Sequence, residues 1–460
     1  MTTKYDAIVI GTGQSGPSLA AALAGSGMNV AIIERNLFGG TCVNTGCIPT
    51  KTLVASARAA YVARNADKFG VLINGNISVD MKAVKERKDE VSGTSNKNVE
   101  SWLKGTDNLT VYEGHGRFES NNTVKVGNEF LESEKIFINV GGRAFVPSFP
   151  GLEDIEYFTN SNMMDVDFLP EHLVIIGGSY IGLEFAQMYR RFGSKITVVE
   201  KGDRLIGRED NDVSETVKEI FEDEGINIRL NAECITVQKE ADGSISVGVD
   251  CKDGNNRVAG SNLLLAVGRT PNTHDLGLEH TGIETDERSY IKVNDKLETS
   301  VEGIWAIGDC NGRGAFTHTS YNDFEIVASN LLDNDPRSVD DRITCYGLFI
   351  DPPLGRVGMT EEQVRSSGRN ALIGKRMMSR VGRARERGET DGFIKVIVDA
   401  DSKEILGATI LGIEGDEAIH CLIDVMYAKA PYTVISRAVH IHPTVSELIP
   451  TVLQSLVSFE

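Results

Sequence analysis

At 460 residues the chain exceeds one ordinary core, so two to four domains are expected. Apolar residues at 41% and charged residues at 25% match a soluble globular protein, and a net charge of −19 argues against nucleic acid as the main partner. Seven cysteines, at 42, 47, 234, 251, 310, 345 and 421, are odd in number and scattered, which argues against a secreted disulfide framework. One close pair in such a set fits a reducing, cytoplasmic setting where disulfides are catalytic. The start Met-Thr-Thr-Lys-Tyr-Asp leads into an apolar run too short for a signal-peptide core, and glycines and Pro17 interrupt the stretch from Ala7 to Ile33, so no membrane span is expected.

The first predicted strand, Ala7–Ile10, runs into Gly11-Thr12-Gly13-Gln14-Ser15-Gly16. A helix over Ser18–Ala24 and a strand over Asn29–Ile33 ending in Glu34 follow. In that context the glycines let the backbone approach a pyrophosphate at a helix N-terminus, and Glu34 accepts hydrogen bonds from a ribose diol. The alternative is a tight turn followed by a surface glutamate.

Next comes Gly39-Gly40-Thr41-Cys42-Val43-Asn44-Thr45-Gly46-Cys47-Ile48-Pro49-Thr50-Lys51, which places a cysteine pair beside the nucleotide turn. That position suggests a disulfide that opens and closes next to a redox cofactor. Residues spaced like Cys42 and Cys47 lie about 7.5 Å apart along an ideal helix and about 140° around it, beyond disulfide reach. A bridge therefore requires Cys42 in a loop or a distorted first turn, which Gly46 eases.

The nucleotide pattern returns as a strand over Leu173–Ile176, the turn Gly177-Gly178-Ser179-Tyr180-Ile181-Gly182, a helix over Leu183–Phe192 and a strand over Ile196–Val199 ending in Glu200. Ser179 replaces the middle glycine and is small enough to keep the approach open. Glu200 binds a free 2′-hydroxyl and repels a 2′-phosphate, favouring NADH, while nearby Lys201 and Arg204 keep NADPH as an alternative. Strands ending near Gly141 and Gly268 look like crossovers between two nucleotide units. The stretch Thr299 to Asp309 ends in Gly308-Asp309, which suits a carboxylate bonding a flavin's sugar-alcohol chain. Two dinucleotide sites and a cysteine pair imply a path from nicotinamide through flavin to disulfide, because a flavin joins a hydride donor to a thiol pair. The arginine-rich segment Arg376–Arg387 reads as a solvated loop, with a recognition surface as the alternative.

Together these motifs resemble the pyridine nucleotide–disulfide oxidoreductases, such as dihydrolipoamide dehydrogenase, glutathione reductase and mercuric reductase, over essentially the whole chain. The resemblance implies an α/β fold with two Rossmann-like dinucleotide-binding domains and a C-terminal α+β dimerisation domain. It implies an FAD domain over about 1–148 and 264–340, an inserted NAD(P) domain over about 149–263 and a dimerisation domain over about 341–460. FAD and NADH are the implied cofactors, with NADPH possible and no resident metal.

Carried over by position, Cys47 faces the flavin and Cys42 is the interchange thiol. Lys51 lies near the flavin, Glu184 pairs with it, and Tyr180 gates the nicotinamide pocket. An ordinary ion pair and a packed helix-start aromatic are the respective alternatives. Thr41, Gly116, Gly141 and Gly268 join the cofactor-binding set of Gly11, Gly13, Gly16, Glu34, Lys51, Asp309, Gly177, Ser179, Tyr180, Gly182 and Glu200. The segment His440-Ile441-His442-Pro443-Thr444-Val445-Ser446-Glu447 resembles the family's acid–base segment. There His442 handles protons and Glu447 orients it, while Pro443 holds His442 extended and opens the next helix. In this family that histidine comes from the second subunit, so a homodimer with shared sites is implied.

The His442/Glu447 pair and Glu200 favour the dihydrolipoamide dehydrogenase branch. The segments Thr50–Val54 and Val267–Thr273 look more like mercuric reductase, and no cysteine follows Cys421, so that enzyme's C-terminal pair is missing. The stretch Gly314-Ala315-Phe316-Thr317-His318-Thr319-Ser320-Tyr321-Asn322-Asp323 departs from the Leu-Ala-His-Lys-Ala pattern of lipoamide dehydrogenases. It resembles a bacterial group that includes a copper(II) reductase involved in hypochlorous-acid resistance. The expected activity is electron transfer from NADH through FAD and Cys42/Cys47 to a small disulfide or a thiophilic metal ion such as Hg(II) or Cu(II). A dihydrolipoyl dehydrogenase component of a 2-oxo acid dehydrogenase complex and a non-enzymatic redox sensor are the alternatives.

Overall fold

The computed structural model describes residues 2–250 and 257–459; Cys251 lies outside them. Two parallel sheets carry the two nucleotide patterns. In the first, the order is Ile304–Ala306, Ile136–Ile138, Ala7–Ile10, Val30–Glu34 and Leu109–Glu113. Ala7–Ile10 is apolar at every position because both faces of this central strand are covered, as parallel sheets require. In the second sheet the order is Asn227–Arg229, Lys195–Val199, His172–Ile176 and Asn262–Leu265, again all parallel. The strand Asn262–Leu265 straddles the expected 263/264 boundary and pairs with His172–Ile176.

The two crossovers lie side by side, where Gly142–Ala144 pairs antiparallel with Arg269–Pro271. The C-terminal part is a six-stranded sheet, and its strand pairs are antiparallel. Its own core is built from residues such as Ile394, Val396, Ile410 and Ile449. The three units thus form the expected α/β architecture. No helix among the described residues is long and apolar enough to cross a membrane.

Helix Cys47–Arg64 of the first unit packs along helix Tyr180–Phe192 of the second, burying Leu53 and Ala57 in one cluster with Leu183 and Phe185. This packing positions the site, because Cys47 and Lys51 lie one turn apart on the first helix, and Tyr180 and Glu184 one turn apart on the second.

Three local expectations are corrected. Cys42 sits in neither a loop nor a distorted turn but in a separate short helix, Gly40–Asn44, and the chain breaks at Thr45 and Gly46 before the long helix starts. The arginine-rich segment is not a solvated loop: it finishes the strand Ala371–Met377 and continues into helix Gly382–Glu386, because Met378, Val381 and Ala384 are buried between the arginines. Pro443 opens no helix; the next helical turn starts at Ser446 and the following α-helix, Ile449–Gln454, carries Pro450 in its first turn.

Candidate active site

Both glycine turns are built by the same exclusions. A Cβ on Gly11 (φ +104°) would lie 2.4 Å from the Asn139 carbonyl oxygen, and one on Gly177 (φ +119°) 2.3 Å from that of Ala266. Gly16 and Gly182 would bring a Cβ within 2.2 and 1.9 Å of the carbonyl oxygens of Gly11 and Gly177. Any side chain there would push the helix off its strand. Gly13 has Asn139 Oδ1 against it, whereas its counterpart Ser179 is exposed and extended at the start of its helix.

Glu34 and Glu200 end their strands in matching roles. Glu34 Oε2 accepts from the Thr12 N–H at 3.0 Å and the Thr12 hydroxyl at 2.5 Å. Glu200 accepts from Gly178 N at 2.6 Å and Gly202 N at 2.7 Å. Gly141 (φ +62°) and Gly268 (φ +132°) border open space, since a Cβ on either would meet nothing within 4 Å. These bare backbones beside the glycine turns fit a bound dinucleotide. Asp309 stands near Arg269 (3.7 Å), and burial raises its carboxyl above the usual range. Gly116 is buried, with Ile10 and Ile33 against it.

The cysteine segment is laid directly on the first turn: a Cβ on Gly40 would lie 2.9 Å from Gly13 Cα. Thr41 is exposed there and its carbonyl accepts from Thr45 N at 2.9 Å. Cys42 and Cys47 are both half-buried free thiols. The hydrogen bond between the two sulfurs, together with burial, pushes the Cys42 thiol far up, while the same bond lowers Cys47 to about 6. Burial opposes the drop at Cys47, and the Thr317 hydroxyl and Lys51 ammonium reinforce it. The two sulfurs therefore differ in acidity, with Cys47 the more readily ionised.

Lys51 Nζ is fixed between the two oxygens of Glu184 at 3.0 and 2.9 Å and lies 4.5 Å from the Phe349 ring centroid. The Phe349 N–H donates to the same carboxylate at 3.1 Å. Tyr180 is walled by Phe316 and Tyr346, with ring centroids 6.0 and 5.6 Å away. Tyr346 donates to buried Glu209, which reaches Arg356 of the C-terminal sheet.

His442 lies apart, 79% exposed, with Nδ1 3.0 Å from Glu447 Oε2. Arg383 holds that loop by donating to the Pro443 carbonyl at 2.7 and 3.2 Å, so one of the segment's arginines supports the histidine. Sequence reasoning passed over Thr317, Phe349 and Asn139. Asn139, which accepts from Gly16 N at 2.9 Å, sat visibly at the end of a predicted strand. Thr317 lay inside the divergent stretch after Asp309, whereas nothing in the sequence marks Phe349.

The pyridine nucleotide-disulphide oxidoreductase model matches residues 5–323, and the dimerisation-domain model of that family matches residues 345–453. The chain belongs to the pyridine nucleotide-disulphide oxidoreductases. As a member of that family it is a flavoprotein disulfide oxidoreductase, an enzyme working with FAD and NAD(P)H. It is 37% identical to the probable pyridine nucleotide-disulfide oxidoreductase RclA of Escherichia coli, over 96% of this chain and 97% of the relative. It is 32% identical to a dihydrolipoyl dehydrogenase of Haloferax volcanii (98% and 95% covered) and 30% identical to a mercuric reductase of Streptomyces lividans (99% and 97%). Among solved structures, a Cu(II) complex of the HOCl-induced flavoprotein disulfide reductase RclA from E. coli superposes with a TM-score of 0.90 at 36% identity, covering 98% of this chain and 99% of that one.

Proposed function

We propose that this oxidoreductase takes electrons from NADH and delivers them through Cys42 and Cys47 to a thiophilic metal ion, with Cu(II) the first substrate to try. The cysteine segment laid on the first glycine turn, with Lys51 held by Glu184 beside it, supports the thiol route most directly, and the likeness to a reductase solved as a Cu(II) complex supports the metal. FAD, when bound, supplies acceptance of a hydride from the nicotinamide and delivery of two electrons to the disulfide. Gly11, Gly13, Gly16, Thr41, Gly141 and Gly268 line the path it would take, with Glu34 at its ribose, Asp309 at its sugar-alcohol chain and Gly116 in the sheet beneath. Gly177, Ser179, Gly182 and Glu200 would hold the nicotinamide dinucleotide, and Tyr180 would cover its entry. Glu200 favours NADH, because its anchored carboxylate stands where a 2′-phosphate would come.

Reduction breaks the S–S bond and takes two electrons and one proton, leaving a thiolate on Cys47 and a thiol on Cys42. Lys51, oriented by Glu184, favours negative charge beside Cys47. Reoxidation by two Cu(II) ions gives two Cu(I), re-forms the disulfide and releases the Cys42 proton. Thiolates suit this step because sulfur favours soft Cu(I). His442, oriented by Glu447, would take that proton in a homodimer, from the second copy. The fully exposed Val439 and the 80% exposed Ile441 precede His442 in the same segment, where a second copy would cover them.

In this reading residues 1–148 and 264–340 form the FAD unit, 149–263 the NAD(P) unit and 341–460 the dimerisation unit, in a cytoplasmic protein. A disulfide acceptor such as lipoamide is the second reading, favoured by the His442/Glu447 pair and the likeness to dihydrolipoyl dehydrogenases. Steady-state assays with NADH and NADPH against Cu(II), Hg(II), lipoamide and glutathione disulfide test the choice. Cu(II) turnover that survives Cys47→Ser would sink the thiol route, and turnover with lipoamide alone would move the assignment to the second reading.

A further inference from the structure

We propose that Thr317 is a further catalytic residue, whose hydroxyl donates a hydrogen bond to the Cys47 sulfur and holds it as the anion once the pair is reduced. The inference rests on the reading of Cys42 and Cys47 as the redox pair and adds a group that the known motifs of this chain do not contain. Thr317 Oγ1 lies 3.0 Å from Cys47 Sγ, although the residues are 270 positions apart. Thr317 is also the first residue of the helix Thr317–Ala328, so the sulfur meets the positive end of a helix as well as a hydroxyl. Sulfur near a helix N-terminus and a hydrogen-bond donor ionises more readily.

The helix start is fixed on several sides. The Phe316 N–H donates to Thr319 Oγ1 at 3.1 Å, and its ring stacks on Tyr346 and His318 at 5.5 and 5.4 Å. Nearly two turns deeper, buried Asp323 accepts from Gly308 N at 2.8 Å and Asn311 Nδ2 at 2.9 Å and pairs with Arg342. Thr317 is thus held at the end of the first sheet, opposite the cysteine helix. The groups facing Cys47 are the Cys42 thiol, the Thr317 hydroxyl, the Lys51 ammonium and, behind it, the Glu184 carboxylate. Of these the Thr317 hydroxyl alone is neither part of the thiol pair nor charged. It supports the thiolate without offering it a second redox partner or a counter-charge that a substrate would have to displace.

The test is a pH titration of the thiolate-to-flavin charge-transfer absorbance in the full-length, two-electron-reduced holoenzyme, which reads the ionisation of the sulfur facing the flavin. Valine keeps the shape of threonine without the hydroxyl, and serine keeps the hydroxyl. The hydrogen bond with Cys42, the Thr317 hydroxyl and the Lys51 ammonium lower the Cys47 pKa below the ordinary thiol value. Losing a charge-assisted hydrogen bond raises its pKa by about one unit, so the midpoint in Thr317→Val should lie about one pH unit above the parent's, with Thr317→Ser within about 0.3 unit of it. If Thr317→Val loses its flavin, Thr317→Ala carries the same expectation. A parent-like midpoint in Thr317→Val, or an equal rise in Thr317→Ser, overturns the proposal. A reduced parent that shows no such absorbance at any pH overturns the redox-pair reading with it. The assay contains no electron acceptor, so a wrong acceptor leaves this inference standing.

Discussion

Replacing Arg356 by methionine tests how the C-terminal sheet is fastened to the second nucleotide unit. The Arg356 side chain is 2% exposed, with Nη1 2.9 Å from Asp210 Oδ2 and 3.5 Å from Glu209 Oε2. It also donates to the Thr409 hydroxyl and to the Met359 carbonyl. Methionine fills much of that space without the charge. Asp210 would keep Lys395 at 3.0 Å and the Glu361 N–H at 2.8 Å. Glu209, whose side chain is fully buried, would keep the Tyr346 hydroxyl. Removing one partner of a buried pair costs about 3–5 kcal/mol, because the other charge stays buried.

Glu209 has one escape, which is to take up a proton. Burial already raises its pKa in the folded protein, and loss of Arg356, which now lowers it, raises it further. A carboxyl whose folded pKa exceeds the unfolded one binds protons preferentially in the folded state. Its penalty is therefore full above the folded pKa and fades as pH falls toward the ordinary glutamate value of about 4.3. Guanidinium unfolding should show a loss of about 3 kcal/mol near pH 7 and clearly less near pH 5.5, and Glu209→Gln should restore about half in the double variant. A loss below about 1 kcal/mol, or one independent of pH and of Glu209→Gln, would refute the account.

The ion pair beside the thiols gives a signed prediction: Lys51→Met raises the Cys47 pKa and Glu184→Gln lowers it, since these charges act on Cys47 in opposite directions. Charges about 6 Å apart at an effective dielectric of roughly 40 interact by about 1.4 kcal/mol, so Lys51→Met should move the midpoint of the thiolate-to-flavin charge-transfer absorbance up by about one pH unit. Shifts in the same direction from both variants would contradict it. His442→Gln should slow reoxidation by the acceptor about 10²–10⁴-fold while NADH-driven flavin reduction in stopped flow stays at the parent rate. Equal losses in both halves would remove His442 from the acceptor step. Glu200→Ser should shrink the NADH over NADPH preference in kcat/KM at least about tenfold, and an unchanged ratio would place selectivity elsewhere.

The two nucleotide turns were legible from sequence because their signals are local. Strand, glycine turn, helix and acid follow one another within about thirty residues, and steric exclusion at Gly11 and Gly177 leaves few alternatives. The Cys42–Cys47 pair was legible for the same reason, although its helix break was not, since five-residue spacing does not say whether the first cysteine's backbone is helical. The Lys51–Glu184 pairing is a contact between two helices 133 positions apart, which single-sequence periodicity does not encode. It was reached by resemblance. Thr317 touches Cys47 across 270 positions and lies where the chain departs from the better-known members, so neither route reached it. The arginine-rich segment misled because its charge hid the buried Met378, Val381 and Ala384 between the arginines.

The unequal acidity of the two thiols also bears on the proposed dimer. The site is well equipped to stabilise the Cys47 anion, with a thiol, a hydroxyl and an ammonium directed at it. Cys42 is the harder thiol to ionise, because its hydrogen bond with Cys47 and its burial raise its pKa more than the Thr317 hydroxyl and the Lys51 ammonium lower it. Yet Cys42 is the sulfur that an external acceptor reaches on the proposed reading, and a neutral thiol is a poor nucleophile and a poor electron donor. A base must therefore arrive with or before the acceptor. His442 fits that need: Glu447 occupies its Nδ1 and sets the tautomer, which directs Nε2 outward from an exposed loop that Arg383 steadies. Its exposure in a single chain is what a base serving a second copy's Cys42 requires. Mixing Cys42→Ser with His442→Gln protomers should then restore activity to about a quarter to a half of the sites, since one site in each mixed dimer regains both groups. Recovery absent from the mixture, with heterodimers present by native mass spectrometry, would place the base within the same chain.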